Sequence, residues 1–302
     1  MKNLPFTKMH AAGNDFVVVD GIELPALNWP AVAQDLSARS AGVGSDGLML
    51  IEKWGPSPSP FGTVPIFRPV LHQPCCKARM FNPDGSEDFC ADGILCVAAC
   101  LREKRKAPSR AFTLDTLWGP RRVRIGRESA RTVEVSAEIG KAIYEPFKIP
   151  ANHPGDAILN HRIGVKGRTF TISAVSTGTP HTIIFADRLP DDEEFFTWAP
   201  LIEQHPIFPE KTTVQWVVIQ SPSRVRSRVW ERGAVGESLA CGTGACAIAA
   251  VGHRLGLLSN RVTAITKGGR LTTELDKSER LWISGTAVIV FTGEAEMKPR
   301  WR

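Results

Sequence analysis

The chain has 302 residues, 43% hydrophobic and 23% charged. That balance excludes wholesale disorder and collagen-like repetition, and the length supplies core for about two domains. Lys and Arg number 37 against 31 Asp and Glu, a formal charge of +6, which suits attraction of an acidic small molecule and is a poor argument for nucleic acid.

In chain order, β-branched runs bounded by turn residues predict strands at 16–19, 133–135, 170–175, 182–185, 214–219 and 287–291. Helices are predicted at 30–37, which has proline at an early helical position, and at the amphipathic stretch 192–205. Two further helices, 94–104 and 245–255, are Ala-rich and apolar on every side, as a helix buried inside a sheet would be. Residues 54–77 carry six of the 22 prolines and read as a long surface loop or insertion. Arg102, Lys104, Arg105, Lys106 and Arg110 read as a solvated helix end that complements the dipole, because no aromatic residues interleave them for base stacking. The mixture is α+β. Two similar domains are expected, 1–131 plus 281–302 and 132–280, each a sheet wrapped around a central helix. No apolar run approaches the roughly 18–20 residues of a membrane helix, and Met1–Lys2–Asn3–Leu4–Pro5 lacks the apolar stretch of a secretion signal. A cytoplasmic protein is expected, with neither a membrane nor a nucleic acid as partner.

Seven cysteines, an odd number in a chain of this size, argue against a disulfide framework. No pair has C-x-x-C spacing and no His pair lies at i, i+4, so no metal is expected. Most free thiols behave as small buried apolar groups. Cys90 and Cys241 break that pattern because their surroundings repeat. One segment runs Gly85-Ser86-Glu87-Asp88-Phe89-Cys90-Ala91-Asp92-Gly93, the other Gly236-Glu237-Ser238-Leu239-Ala240-Cys241-Gly242-Thr243-Gly244. Each places Cys four residues after Ser or Glu, then Gly three residues on, then a small apolar helix. Chance likeness of two Gly-rich turns and duplication of a half-domain both account for this, the second more economically.

A cysteine just ahead of a helix sits where unpaired N–H groups and the helix dipole converge. That field is expected to lower the thiol pKa from about 8.5, and the same N–H groups can hold a carboxylate. Two such turns facing across a cleft between the domains suggest a two-base reaction without metal or cofactor. One thiolate removes a proton from carbon and the opposite thiol returns one on the other face, while the helix N-termini hold the substrate's carboxylate.

At this point the chain resembles the diaminopimelate epimerase family. The likeness rests on Lys8-Met9-His10-Ala11-Ala12-Gly13-Asn14-Asp15-Phe16, Gly42-Val43-Gly44-Ser45-Asp46-Gly47, Phe81-Asn82-Pro83-Asp84-Gly85-Ser86-Glu87 and Phe208-Pro209-Glu210. It is most specific at Glu231-Arg232-Gly233-Ala234-Val235-Gly236-Glu237-Ser238-Leu239-Ala240-Cys241-Gly242-Thr243-Gly244, and closing strands around Leu281 and Val290 also match. The resemblance implies a cofactor-independent isomerase converting LL-diaminopimelate to the meso form in lysine and cell-wall biosynthesis, commonly as a homodimer. It makes Cys90 and Cys241 the acid/base pair. Gly242 and Thr243, with the backbone of Ala91 and Asp92, would cradle the α-carboxylate, with Asn14 and Asn82 as substrate contacts. Glu231 and Arg232 would hold the distal end, and His181 would sit close to a catalytic thiol and tune it.

Five positions depart from the family. Cys90 is followed by Ala91-Asp92-Gly93 where Gly-Asn-Gly is usual; a carboxylate there opposes thiolate formation and repels an incoming carboxylate unless it turns outward or caps a helix. Leu95 replaces an Arg, and Thr179 and Thr213 replace Asn residues with a shorter side chain and a single hydroxyl donor. These changes leave open a racemase for another polar or basic amino acid, a double-bond-shifting isomerase of the same fold, and a binding protein without chemistry.

Overall fold

A computed structural model describes residues 3–53, 75–233 and 236–302. Its strands run through two rings. In the first, Asn14–Asp20 lies antiparallel to Asn3–Ala11 and parallel to Gly47–Lys53. The ring continues through Cys76–Phe81, Ala111–Asp115, Arg121–Glu128 and Thr132–Lys141. It closes where Arg280–Glu296 lies between Thr132–Lys141 and Asn3–Ala11. The second ring runs through Arg168–Ser176, Pro180–Phe185, Thr213–Ser221, Arg224–Trp230, Arg261–Ile265 and Arg270–Leu275 to the start of Arg280–Glu296. A single bridge between Ile143 and Ser176 returns it to its beginning.

Both rings place their parallel steps identically, and each parallel step needs a crossover, here a helix. Helix α1 (Trp29–Ser37) connects Asn14–Asp20 to Gly47–Lys53, and α2 (Ala91–Glu103) connects Cys76–Phe81 to Ala111–Asp115. Helices α3 (Asp192–Glu203) and α4 (Gly242–Arg254) stand at the matching places of the second ring. The repetition glimpsed at two cysteine turns therefore extends over both halves of the chain. Thr132–Lys141, which leads into Ile143, and Arg280–Glu296 are the strands in which the rings meet.

Helices α2 and α4 are buried on all sides, as their Ala-rich composition requires: every residue of 91–101 and of 242–252 is buried. They share one apolar core with the strands around them. Deleting a fully buried side chain such as Ile94 or Leu271 from such a core costs about 2–5 kcal/mol. A second core, around Phe195 and Trp216, lies under α3, and a third, around Trp29 and Trp301, lies under α1.

Two expectations need correction. The helices begin at Ala91 and Gly242, three residues earlier than their apolar periodicity suggests; Asp92, Gly93, Thr243 and Gly244 look like turn residues but form first turns. The predicted loop 54–77 falls largely on residues 54–74, which lie outside the described residues, while Cys76 and Lys77 already belong to a strand paired with Gly47–Lys53. The basic stretch after α2 is paired on the surface: Arg102 and Arg110 with Glu128, Lys104 and Lys106 with Asp20. Among the described residues, no helix is long and apolar enough to cross a membrane.

Candidate active site

The corrected helix starts make Cys90 the N-cap of α2 and Cys241 the N-cap of α4, both with extended backbone. Each sulfur lies beside first-turn N–H groups of its own helix, those of Asp92 and Gly93 for Cys90 and that of Gly244 for Cys241, donors that a helix start leaves without intrahelical partners. The glycine shared by the two turns has a close neighbour in each. A Cβ at Gly93 would lie 2.4 Å from Met49 Sδ, and one at Gly244 would lie 2.0 Å from Gln215 Nε2.

Both cysteines line one cavity of about 700 Å³, bounded by residues of both rings. Also on its wall are Asn14, Asn82, Ala91, Asp92, Thr179, Thr213, Glu231, Arg232, Gly242 and Thr243. His181 stands one hydroxyl behind the wall: it is fully buried, with Nε2 3.1 Å from Thr243 Oγ1, which in turn is 3.4 Å from Cys241 Sγ. The resemblance implied a place close to a catalytic thiol; the Thr243 hydroxyl stands between the ring and the Cys241 sulfur. Burial, reinforced by the charge of Arg232, lowers the His181 pKa to about 3, so its imidazole is neutral and can exchange hydrogen bonds without carrying charge.

The thiols themselves depart from expectation. Both pKa values are pushed well above the ordinary thiol range. For Cys90 the causes are burial, then the Asp92 carboxylate, then Glu231; the Asp92 and Gly93 N–H groups pull the other way and lose. For Cys241 burial leads, followed by Glu231 and Asp92, against the Thr243 hydroxyl and the Gly244 N–H. A helix N-terminus favours the thiolate as predicted, but burial of the thiols, with the Asp92 and Glu231 carboxyl groups beside them, outweighs it.

Glu231 is raised to about 7 by burial, although hydrogen bonds from Cys241 and Ser238 favour its charged form. A carboxyl poised near neutrality beside a thiol is placed to accept that thiol's proton. Asp92, 1% exposed, is raised to about 6 by burial. Its Oδ2 accepts the Gly242 N–H at 3.1 Å and Asn14 Nδ2 at 3.3 Å. It therefore caps a helix, but α4 and not its own.

Thr213 does not simply lose the reach of an Asn: its hydroxyl accepts the Arg232 N–H at 3.2 Å and so fixes that turn. Thr179 Oγ1 is 3.0 Å from His181 Nε2. Asn82 donates to Ser86 Oγ at 3.0 Å. Leu95 is fully buried in the core and is not part of the wall, so this departure leaves the cavity untouched. Sequence reasoning missed Arg39, Met80, Phe89 and Leu239, which also line the cavity. Phe89 and Leu239 could have been found from their places just before each cysteine. Arg39 sits in no motif; it reaches Asp46 at 2.6 Å and Asp15 at 3.1 Å, and Asp15 also pairs with Lys8. Among the described residues, no three His, Cys, Asp or Glu side chains gather as a metal site.

The family model for diaminopimelate epimerase matches residues 6–144 and 173–298. The diaminopimelate epimerase of Pelotomaculum thermopropionicum is 37% identical over 96% of this chain and 98% of its own, and that of Carboxydothermus hydrogenoformans 38% over 96% and 99%. Among solved structures, a hydroxyproline epimerase from Agrobacterium vitis has a TM-score of 0.66 at 13% identity, covering 99% of this chain and 95% of that one. A PhzF-family phenazine biosynthesis protein from Bacillus anthracis has 0.63 at 16%, covering 98% and 100%. At such identities these structures speak for the fold alone, but with the near full-length relatives and the family match the conclusion is direct: the chain belongs to the diaminopimelate epimerase family.

Proposed function

We propose that this protein is an isomerase that inverts the α-carbon of LL-diaminopimelate to give the meso form, with Cys90 and Cys241 as the two acid/base groups. The observation that carries the reading is the placement of two helix-capping cysteines on the wall of one cavity, each with first-turn N–H groups beside it. In one direction the Cys241 thiol passes its proton to Glu231, and the thiolate removes the Cα proton. The Cys90 thiol then protonates the carbanion from the opposite face and is left as the thiolate. The Cα–H bond broken on one side is remade on the other, with no net change in electrons. The N–H groups of α2 and α4 hold the α-carboxylate and stabilise charge building on it. Arg232, exposed on the wall, pairs with the distal carboxylate, where a guanidinium makes its strongest contacts. Asn14 and Asn82 complete the contacts, and Thr179 and Thr243 connect His181 to the site.

The reading takes with it a cofactor-independent step of lysine and cell-wall biosynthesis, carried out in the cytoplasm by a homodimer. Sedimentation of the purified protein tests the assembly. Deuterium incorporation from solvent at Cα of diaminopimelate, with loss of the LL isomer, tests the reaction. Exchange into a different amino acid and none into diaminopimelate would redirect the substrate assignment and leave the two-thiol chemistry standing.

A further inference from the structure

The cradle at the helix N-termini already contains an anion supplied by the protein. Asp92 projects from the first turn of α2 and bonds across the site to the first N–H of α4, at 3.1 Å. Asn14 Nδ2 makes the second contact to the same oxygen, at 3.3 Å. The other oxygen, Oδ1, is buried without a hydrogen-bond partner, and a Cβ on Gly242 would lie 2.7 Å from it. Both supports of the carboxylate are thus neutral donors, and one oxygen goes unanswered. Around it stand Cys90 and Cys96 from its own helix, Cys241 and Cys246 from α4, and Glu231 from the turn after Arg224–Trp230; its charge raises the pKa of each.

Each helix N-terminus is worth roughly half a positive charge. Two of them balance about one carboxylate. A ligand carboxylate arriving at the same N–H groups makes a second, and two carboxylates sharing one buried site cannot both stay ionised. We propose that Asp92 is the resident occupant of the anion site, and that an amino-acid carboxylate binds there only as Asp92 takes up a proton. This rests on the functional reading above. Burial supports it independently, since it has already moved Asp92 to about 6, within reach of protonation near neutral pH.

The test is calorimetric titration of the whole protein with an equilibrium mixture of LL- and meso-diaminopimelate from pH 6 to 8.5, in buffers of different ionisation enthalpy. The wild type is expected to take up close to one more proton per bound ligand at pH 8 than Asp92→Asn, its Kd rising about tenfold per pH unit above pH 7. Asp92→Asn keeps an oxygen for the Gly242 N–H, and its Kd should be nearly independent of pH. Asp92→Ser, which also lacks the carboxylate, covers a failure of the amide to fold. Glu231, whose pKa also responds to the Asp92 charge, is taken out of the comparison by repeating it with Glu231→Gln in both wild type and variant. Equal slopes and equal proton numbers in wild type and variants overturn the proposal. If the same samples still exchange deuterium at Cα, that failure leaves the epimerase reading standing. No binding heat and no exchange in the wild type would bring both down.

Discussion

The two helix N-termini, built by the same topology, have different chemistry. At α4 the second helical residue is Thr243, whose hydroxyl stays at home: it touches Cys241 and hands the contact back to the neutral His181. At α2 the equivalent residue is Asp92, which leaves its own turn and caps the partner helix. Cys241 is also hydrogen-bonded by Glu231, whereas Cys90 has Asn14 Nδ2 at 3.8 Å. Duplication gives two sulfurs in equivalent frames, and single residues beside them decide which proton each can exchange and with what. One thiol has a base next to it and the other has an amide.

The largest test of that asymmetry removes each sulfur in turn. Cys90→Ala and Cys241→Ala should each lower inversion by at least about a thousandfold, in the range set by losing a positioned acid or base. Solvent deuterium exchange should then separate by isomer, with each variant retaining exchange of one stereoisomer only. Equal exchange of both isomers by both variants would contradict a facing pair. Next comes Thr243→Val, which cuts the link from His181 to Cys241. A hydrogen bond to a charged partner is worth about 1.5–3 kcal/mol, so kcat should fall about ten- to hundredfold. If kcat is unchanged, the hydroxyl carries nothing between imidazole and thiol.

A smaller effect separates the two second helical positions by stability. The folded-state pKa of Asp92, about 6, lies above the ordinary 3.8. The folded chain therefore holds the proton more tightly than the unfolded one. Asp92's favourable contribution is complete below about pH 4 and is lost as pH rises through about 6. Asp92→Asn stays neutral and keeps it. Denaturation midpoints should coincide at pH 4 and diverge toward pH 7, with the variant more stable by up to about 3 kcal/mol. A variant less stable than the wild type at pH 8 would mean that the ionised carboxylate, with its two donors, outweighs its burial.

Much of this asymmetry was legible in the residues, and the rest was not for definite reasons. The cysteines, the repeat and the unusual Asp92 are local, so spacing exposes them. Strands such as Arg121–Glu128, with alternating buried Val123 and Ile125 among charges, escape a search for β-branched runs, because a barrel strand needs to be apolar on only one face. The helix starts escape detection because Gly93 and Gly244 look like breakers, whereas both lie in first turns packed closely against Met49 and Gln215. The raised thiol pKa values were out of reach from spacing alone. They depend first on burial of the thiols, then on Asp92 and Glu231 each acting on both sulfurs, tertiary facts that reverse what the helix termini alone would do. Arg39 reaches the cavity by the same kind of tertiary placement.

The glycines give the finest comparison between the halves. Gly93→Ala and Gly244→Ala both gain helix propensity, about 1 kcal/mol, and both collide with a neighbour. At Gly93 the obstacle is Met49 Sδ at 2.4 Å, part of an unbranched thioether that can choose another rotamer. At Gly244 it is the Gln215 amide at 2.0 Å, with the Cys241 Cβ also at 3.2 Å. Gln215 is 2% exposed and its Nε2 already lacks a hydrogen-bond partner, so it has neither space to retreat into nor a contact to gain by moving. Overpacking of this kind costs about 1–3 kcal/mol. Gly93→Ala should come out near neutral in urea denaturation, and Gly244→Ala destabilised by up to about 2 kcal/mol once propensity is subtracted. Because the second clash leans on Cys241, Gly244→Ala should also lower kcat more than Gly93→Ala does. The reverse order in both measurements would mean that α2, not α4, is the less forgiving seat for a thiol.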